Sequence, residues 1–164
     1  MVIRDAQDED LEGLSALEAR SFASDRIARR SLRRLIDRKS ARLRVAVGRG
    51  ELQGYHLVLF RKGSSVARLY SIAVDDRHRG AGLGHRLLAD AEGVAVGGRK
   101  RALRLEVRED NLPAIRLYER RGYRLIGRYP RYYADRADAL RYEKAFTESE
   151  EGRRPGRPRK RRSA

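Results

Sequence analysis

A short apolar strand that runs into a glycine-rich loop and then into a helix constrains this sequence most. Residues 70–74 are mostly apolar, residues 75–82 supply charged side chains and glycines, and a helical pattern begins at Leu83. Glycine stands at three alternate positions: Gly80, Gly82 and Gly84. Without Cβ atoms the backbone can adopt positive φ angles there, and successive N–H groups can converge on one phosphate beside the positive end of the helix. The segment therefore predicts an anion-binding loop.

Two common phosphate-binding motifs do not fit this loop. A dinucleotide-binding fingerprint follows the first strand of a parallel βαβ unit and has an acidic residue about 20 residues further on. Here the loop lies in the middle of the chain, after segments with the pattern of hairpins. The Lys-Ser/Thr ending of the P-loop is also missing, so another kind of anion site is expected.

Hydrophobic periodicity predicts an alternation of strands and helices in one mixed α/β domain. Strands are expected over residues 2–4, 41–47, 52–61, 66–74, 101–108, 123–129 and 139–146. Helices are expected after a cap at Asp8 or Asp10, over residues 31–38 and 83–96, and from Pro113 to Gly122. The fold class is therefore α/β, with a sheet covered by helices.

Composition limits the chemistry and divides the chain into two parts. The 164 residues contain no cysteine, which excludes disulfides and thiolate catalysis and favours a cytoplasmic protein. No apolar run is long enough to cross a membrane. The net charge of the chain is +16. Residues 152–164 carry seven of the 39 basic side chains and no acidic one. The rest of the chain therefore has 32 basic and 23 acidic residues, a net charge of +9. We predict a folded domain over residues 1–146 and a disordered basic tail over residues 147–164.

Two sequence blocks together resemble the GNAT superfamily of N-acetyltransferases. The pattern Arg-x-x-Gly-x-Gly fits the anion loop twice, from Arg77 to Gly82 and from Arg79 to Gly84. About 25 residues later, the segment from Leu105 to Tyr123 is similar to a signature of the ribosomal-protein-alanine (RimI) branch. The resemblance covers roughly residues 1–146 and implies a GNAT-like fold, with a central mixed, mostly antiparallel sheet flanked by helices.

The resemblance implies acetyl-coenzyme A as co-substrate. Backbone N–H groups from Arg79 to Gly84 would bind the pyrophosphate, strand residues would pair with the pantetheine arm, and Asn111 would contact the same arm unless it only caps the following helix. The implied cofactor-binding residues are Ile72, Ala73, Val74, Arg77, Arg79, Gly80, Ala81, Gly82, Leu83, Gly84 and Asn111. The three histidines, His56, His78 and His85, have no metal-ligand spacing, and no metal site is predicted.

Acetyl transfer to an amine requires a proton acceptor near the amine and a proton donor near the sulfur. Glu106 lies on the polar face of a predicted strand, and Tyr118 follows twelve residues later on the next helix. The resemblance implies that Glu106 is the base and Tyr118 the acid. The structural alternatives are a Glu106 neutralised by Arg104 and Arg108, and a Tyr118 that only packs in the core.

Three tyrosines before the last strand, Tyr129, Tyr132 and Tyr133, resemble a segment that lines the acceptor pocket in the RimI branch. The alternative is packing of an edge strand. The segment from Ser21 to Asp25 lacks the Pro-Trp of that branch, and the chain has no tryptophan. The acceptor is therefore predicted to be a primary amine, first of all a protein N-terminal α-amine, with small amines or lysine side chains as the alternative.

A different function class also fits the charges. An acyl-coenzyme A sensor with a nucleic-acid-binding tail would need the anion loop and the basic residues, but not a glutamate and tyrosine pair. Gly156-Arg157-Pro158 in the tail is similar to an AT-hook, whereas a nonspecific polycation is the simpler interpretation. We therefore predict an enzyme, with nonspecific nucleic-acid contact through the tail.

Overall fold

A computed structural model describes residues 1–147, so the predicted tail lies almost entirely outside the described residues. The strands are β1 (Val2–Asp5), β2 (Ala41–Gly48), β3 (Glu51–Leu59), β4 (Val66–Val74), β5 (Ala102–Arg108), β6 (Arg124–Tyr129) and β7 (Ala139–Ala145). The α-helices are α1 (Leu11–Ser21), α2 (Arg29–Asp37), α3 (Leu83–Gly97) and α4 (Leu112–Arg120). The predicted elements are all present, with ends shifted by one or two residues.

All seven described strands form one sheet in the order β1-β2-β3-β4-β5-β7-β6. Every neighbouring pair is antiparallel except β4 and β5, which run parallel because α3 crosses over between them. The predicted mixed, mostly antiparallel sheet is confirmed. At the hairpin between β2 and β3, Arg49 and Gly50 both have positive φ angles (53° and 74°), as a two-residue type I′ turn requires.

The helices cover the two faces of the sheet. Leucines of α1 and α2 pack with β2 and β3 on one face, whereas α3 and α4 pack with β4 and β5 on the other. Alternation within the strands explains the division: Leu57 belongs to the first cluster, and the next residue, Val58, belongs to the second. Within residues 1–147, no helix is long and apolar enough to span a membrane.

The parallel pair β4 and β5 separates half-way along its length. Pairing runs from Val66 with Ala102 to Leu69 with Leu105, and it stops there. Beyond that point β4 pairs only with β3, and β5 pairs only with β7. Because the two strands are parallel, a wedge opens at their carboxyl ends, in front of the segments that lead into α3 and α4.

A β-bulge in β4 lies where the wedge begins. Leu57 pairs with Ser71 and Val58 pairs with Leu69, so Tyr70 has no partner in β3. The extra residue reverses the alternation of the strand. Leu69 consequently packs on the α3 face, whereas Ala73, four residues later, packs on the α1 face.

Candidate functional site

The glycine loop is held by a buried aspartate at the end of β4. Asp75 accepts hydrogen bonds from the backbone N–H of Arg77 (3.0 Å), from Arg77 Nε (3.1 Å) and from Arg20 Nη2 (2.7 Å). These bonds, first of all those from Arg77, lower the pKa of Asp75 far below its ordinary value despite its burial. Asp75 therefore stays ionised and fixes the 3₁₀ turn Asp76–His78 that starts the loop.

Two glycines in the left-handed region bring the loop to the start of α3. Gly80 and Gly82 have φ angles of 81° and 78°, and a Cβ atom built on either would meet no protein atom within 4 Å. The space in front of these glycines is therefore open to a ligand. Leu83 directs its side chain into the core, so only its backbone N–H is available, and Ala81 is exposed. This is the arrangement expected of a pyrophosphate cradle at a helix N-terminus.

The arginines of the loop pair with aspartates of the same loop. Arg77 binds Asp75, and Arg79 binds Asp76 at 2.9 Å. Both guanidinium groups remain more than half exposed, so they still present N–H groups to solvent in front of the loop. Gly84, the second residue of α3, faces α4, where a Cβ atom would lie 3.4 Å from Leu117 Cδ2.

The edge of β4 that faces the wedge has free backbone groups. The Asp75 N–H donates to the Gln53 carbonyl of β3. Since alternate residues of a strand direct their backbone groups to opposite edges, those of Ala73 also face β3, and those of Ile72 and Val74 face the wedge. An extended chain could therefore pair with the backbone of Ile72 and Val74. The backbone of Ala73 is not available to such a chain, and its side chain is buried in the core.

Asn111 caps α4 at the other side of the wedge. Its side-chain oxygen accepts a hydrogen bond from the N–H of Ala114 (3.3 Å), which is the structural role predicted as the alternative. The exposed side chain still has its amide N–H groups directed away from that bond. Capping and a contact with a cofactor are therefore compatible.

Glu106 lies on β5 where the wedge opens, and its side chain is only 5% exposed. It accepts hydrogen bonds from Arg68 Nε of β4 (3.2 Å) and from Arg141 Nη2 of β7 (2.8 Å). The structural alternative, in which Arg104 and Arg108 neutralise Glu106, is wrong about the partners. Neighbours two residues away on one strand are less well placed than residues on adjacent strands, and Arg141 lies directly across from Glu106. Arg104 and Arg108 pair elsewhere, with Glu143 and with Asp110 and Asp135.

Tyr118 of α4 is buried on the opposite side of the wedge and packs edge-on against Tyr123, with ring centroids 5.9 Å apart. Burial, and to a lesser degree the nearby Tyr133, raise the pKa of Tyr118. Its hydroxyl makes no hydrogen bond to any residue within 1–147. A hydroxyl with a raised pKa and no protein partner is suited to donate a hydrogen bond to a ligand atom.

Tyr133 connects the two candidate catalytic residues. Burial raises the pKa of Tyr133 to about 12, and Tyr132 and Glu106 act in the same direction. Tyr133 in turn raises the pKa of Tyr118, so it lies within electrostatic range of both Glu106 and Tyr118. Tyr133 is therefore an electrostatic neighbour of both the predicted carboxylate and the predicted phenol.

The other two predicted tyrosines line the same mouth. Tyr132 accepts a hydrogen bond from Arg68 Nη2 (2.7 Å), and its ring packs against both Tyr129 and Tyr133. The guanidinium carbon of Arg141 lies over the Tyr129 ring, 4.3 Å from the ring centroid. The aromatic cluster therefore surrounds the arginines that hold Glu106, rather than packing only against the edge strand.

Two loops close this side of the site. The loop before β7 is joined to the loop between α1 and α2 by a hydrogen bond from the Ala134 N–H to Asp25 (3.1 Å). The latter loop is fixed by Glu18, a buried carboxylate that accepts from the Ile27 N–H (2.8 Å) and from the Tyr55 hydroxyl. Burial raises the pKa of Glu18, and Tyr55 continues the chain of bonds to Ser71 of β4 (2.7 Å).

Sequence reasoning did not find Arg68, Arg141 and Asp75. The spacing Asp75-x-Arg77 was a usable signal for the loop, because a carboxylate two residues before an arginine can bond its backbone N–H. No local pattern indicates Arg68 or Arg141, since their contact with Glu106 depends on how three strands are ordered.

The family model described as "Acetyltransferase (GNAT) family" matches residues 7–123. The chain belongs to the GNAT acetyltransferase family. It is therefore an N-acetyltransferase that uses acetyl-coenzyme A, and the predicted enzyme class, co-substrate and RimI-like resemblance are confirmed.

The matches to individual relatives of this GNAT acetyltransferase span very different shares of those relatives. It is 31% identical over 139 residues to a putative [ribosomal protein bS18]-alanine N-acetyltransferase of Bacillus subtilis, which is 84% of this chain and 91% of that protein. It is 49% identical over 72 residues to an uncharacterized protein of Mycobacterium leprae, of which the match spans only 19%. In fold it resembles the ribosomal-protein-S18-alanine N-acetyltransferase of Escherichia coli, with a TM-score of 0.79 and 24% identity over 89% of this chain and 94% of that one.

Proposed function

We propose that this GNAT acetyltransferase acetylates the N-terminal α-amine of a protein, with Glu106 on the amine side and Tyr118 on the sulfur side of the wedge. The observation that carries the proposal is a buried carboxylate, Glu106, on β5 where the wedge opens, together with a buried tyrosine, Tyr118, on α4 whose hydroxyl has no partner among residues 1–147. The B. subtilis relative, whose name specifies an N-terminal alanine, supports the same class of acceptor.

An α-amine suits the arrangement around Glu106. The nucleophile has to be neutral, and an α-amine with a pKa of about 7.7 to 8.0 is partly neutral near pH 7, whereas a lysine with a pKa of about 10.4 is not. Glu106 already accepts one hydrogen bond on each oxygen from an arginine, so it has lone pairs left to orient an amine or a water molecule. Because an α-amine needs less help in losing its proton, small amines and lysine side chains are the weaker alternative.

Acetyl-coenzyme A supplies an activated thioester carbonyl. The loop from Arg79 to Gly84 would hold its pyrophosphate, and the backbone of Ile72 and Val74 would pair with its arm. The amine proton leaves to Glu106, directly or through water, as the C–N bond forms. The hydroxyl of Tyr118 donates a hydrogen bond to the sulfur as the C–S bond breaks, which stabilises the developing negative charge.

The raised pKa of Tyr118 defines this role more closely. A thiol has an ordinary pKa of about 8.5. Since burial raises the pKa of Tyr118 far above that value, complete proton transfer to a thiolate is uphill, and the thiolate can take its proton from solvent after release. Tyr118, predicted from the sequence as the acid, is therefore proposed to act by donating a hydrogen bond to the sulfur.

The test compares single variants at two pairs of matched positions. Tyr118→Phe is expected to lower kcat by roughly 10²- to 10⁴-fold with little change in affinity for acetyl-coenzyme A. Tyr123→Phe is the control, because Tyr123 packs against Tyr118 but donates its hydroxyl to Glu92 (3.0 Å). Glu106→Gln should lower the rate most below pH 7, where the α-amine is mainly protonated, and Glu143→Gln on the adjacent strand should not.

The acceptor itself is identified by incubating the protein with acetyl-coenzyme A, a library of peptides with free N-termini and a panel of small amines, followed by mass spectrometry. Acetylation at α-amines and not at lysines of the same peptides supports the proposal. Near wild-type rates for both Tyr118→Phe and Glu106→Gln would contradict the assigned roles. A cytoplasmic location, expected from the composition, belongs to the same proposal.

A further inference from the structure

The group around Glu106 carries more positive than negative charge. Arg68 and Arg141 both bind the same carboxylate, and neither makes an ion pair with another acidic residue within 1–147. Their remaining contacts are uncharged: Tyr132 and the ring of Tyr70 for Arg68, and the ring of Tyr129 for Arg141. One arginine suffices to neutralise Glu106, so the cluster has a net charge of +1 at the mouth of the wedge.

Both arginines have donor groups to spare. An arginine carries five N–H donors. Arg68 uses its Nε for Glu106 and its Nη2 for Tyr132, and its side chain is 41% exposed. Arg141 has a buried Nε that finds no hydrogen-bond partner among the described residues, although its Nη2 binds Glu106. A buried N–H without a protein partner is costly, and a small shift of the guanidinium toward a bound acceptor atom would satisfy it.

Other arginines near this cluster each have two carboxylate partners. Arg108 pairs with Asp110 and Asp135, and Arg128 pairs with Glu109 and Asp138. Arg68 and Arg141 differ from them because they share a single carboxylate and so carry positive charge in excess.

We propose that Arg68 and Arg141 form a subsite for a carboxylate that the acceptor carries close to its reacting amine. The proposal rests on the proposed function and specifies its substrate class. Glu106 orients the amine, and the carboxylate binds the free N–H groups beside it, in the charge-assisted geometry that guanidinium groups favour. The carboxylate can come from the side chain of the first or second residue of a peptide, or from a free amino acid.

The experiment measures kcat/KM for matched acceptors with acetyl-coenzyme A. One peptide carries Asp at its second residue, one carries Asn there, and one carries the Asp at its fourth residue, up to about 7 Å further away. The first should be preferred over the second by about tenfold, as expected of one partly buried ion pair, and the third should show no preference. Alanine against alaninamide tests the free amino acid as the source. The preference should decrease with salt, because the Debye length falls from about 10 Å at 0.1 M to about 3 Å at 1 M.

Arg68→Gln and Arg104→Gln are the matched variants. Arg104 is paired with Arg68 across the strands and is similarly exposed (37%), but it is neutralised by its own partner, Glu143. The ratio between the Asp and Asn peptides should fall to about one in Arg68→Gln and stay unchanged in Arg104→Gln. A merely structural role of Arg68 would lower both rates and leave their ratio intact, which would overturn the proposal.

Peptide binding to the protein saturated with coenzyme A, measured by fluorescence anisotropy, distinguishes failure of the subsite from failure of the proposed function. Turnover of N-terminal peptides without any preference for Asp refutes the subsite and leaves the function standing. A binding preference for Asp without turnover of any peptide supports the subsite and refutes the function.

Discussion

Replacing Gly82 by alanine tests whether the glycine loop binds the co-substrate. Gly82 has a φ of 78° and no protein atom within 4 Å of a built Cβ, so Gly82→Ala costs only the backbone strain of the left-handed region, about 1 kcal/mol. For a protein of this size that lowers Tm by about 2 to 4 °C. In the proposed ligand complex, however, the added methyl group would occupy space that the pyrophosphate needs.

The magnitude follows from mass action. Acetyl-coenzyme A at 100 times its Kd stabilises the wild-type protein by about 2.7 kcal/mol, or roughly 5 to 10 °C in Tm. If the methyl group weakens binding about 100-fold, the same concentration stabilises Gly82→Ala by only about 0.4 kcal/mol. Thermal unfolding with and without acetyl-coenzyme A measures both quantities.

Gly63→Ala is the control for backbone strain. Gly63 has a φ of 81°, has equally open surroundings and lies in the loop between β3 and β4, at the end of β4 opposite to the glycine loop. Both variants should lose the same few degrees without ligand, and only Gly82→Ala should lose the ligand-induced shift. Equal ligand shifts in the two variants would refute the assignment of the loop.

Three further predictions concern stability and the tail. Burial lowers the pKa of His56, so the unfolded chain takes up a proton below about pH 6.5 while the folded protein resists it. The free energy of unfolding should therefore fall from pH 7.5 to 5.5 in urea titrations, and less so in His56→Gln; parallel pH curves would contradict this. Gly54→Ala should destabilise by about 1 to 3 kcal/mol, since its Cβ would lie 2.8 Å from the Ala73 carbonyl, whereas Gly93→Ala, in open space on α3, should stabilise by about 0.5 to 1 kcal/mol. Removal of residues 148–164 should leave turnover of small acceptors unchanged and should weaken salt-sensitive binding to DNA, and loss of turnover would place the tail in the site.

The sequence predicted the parts of the fold and site that depend on local patterns. The extent of β4, the start of α3 at Leu83 and the stop of α4 before Gly122 follow from periodicity and glycine positions. Glu106 was placed on the polar face of β5 by alternation alone, and the structure confirms that placement.

Features that depend on the order of strands could not be predicted in this way. Arg68 and Arg141 come from strands 38 and 35 residues away from Glu106 along the chain, and only the sheet order brings them to it. The bulge at Tyr70 leaves no trace in the sequence, because tyrosine is a common residue in regular strands. Alternation extended through β4 would therefore have placed either Arg68 or Ala73 on the wrong face.

The bulge also divides β4 into two segments that pair with different strands. Its first half, Val66–Leu69, is tied to β5, and its second half, from Ser71 onward, follows β3 alone. Deleting Tyr70 would join Leu69 directly to Ser71, whose partners Val58 and Leu57 are already neighbours in β3, so both halves would keep their faces. Drawing Tyr70 into the pairing would instead shift one half by one residue and turn it over, so that either Arg68 would enter the core or Ser71 would leave Tyr55. The bulge therefore accommodates one extra residue without exchanging the inner and outer surfaces of half a strand, and replacing the exposed Tyr70 itself also leaves both surfaces as they are.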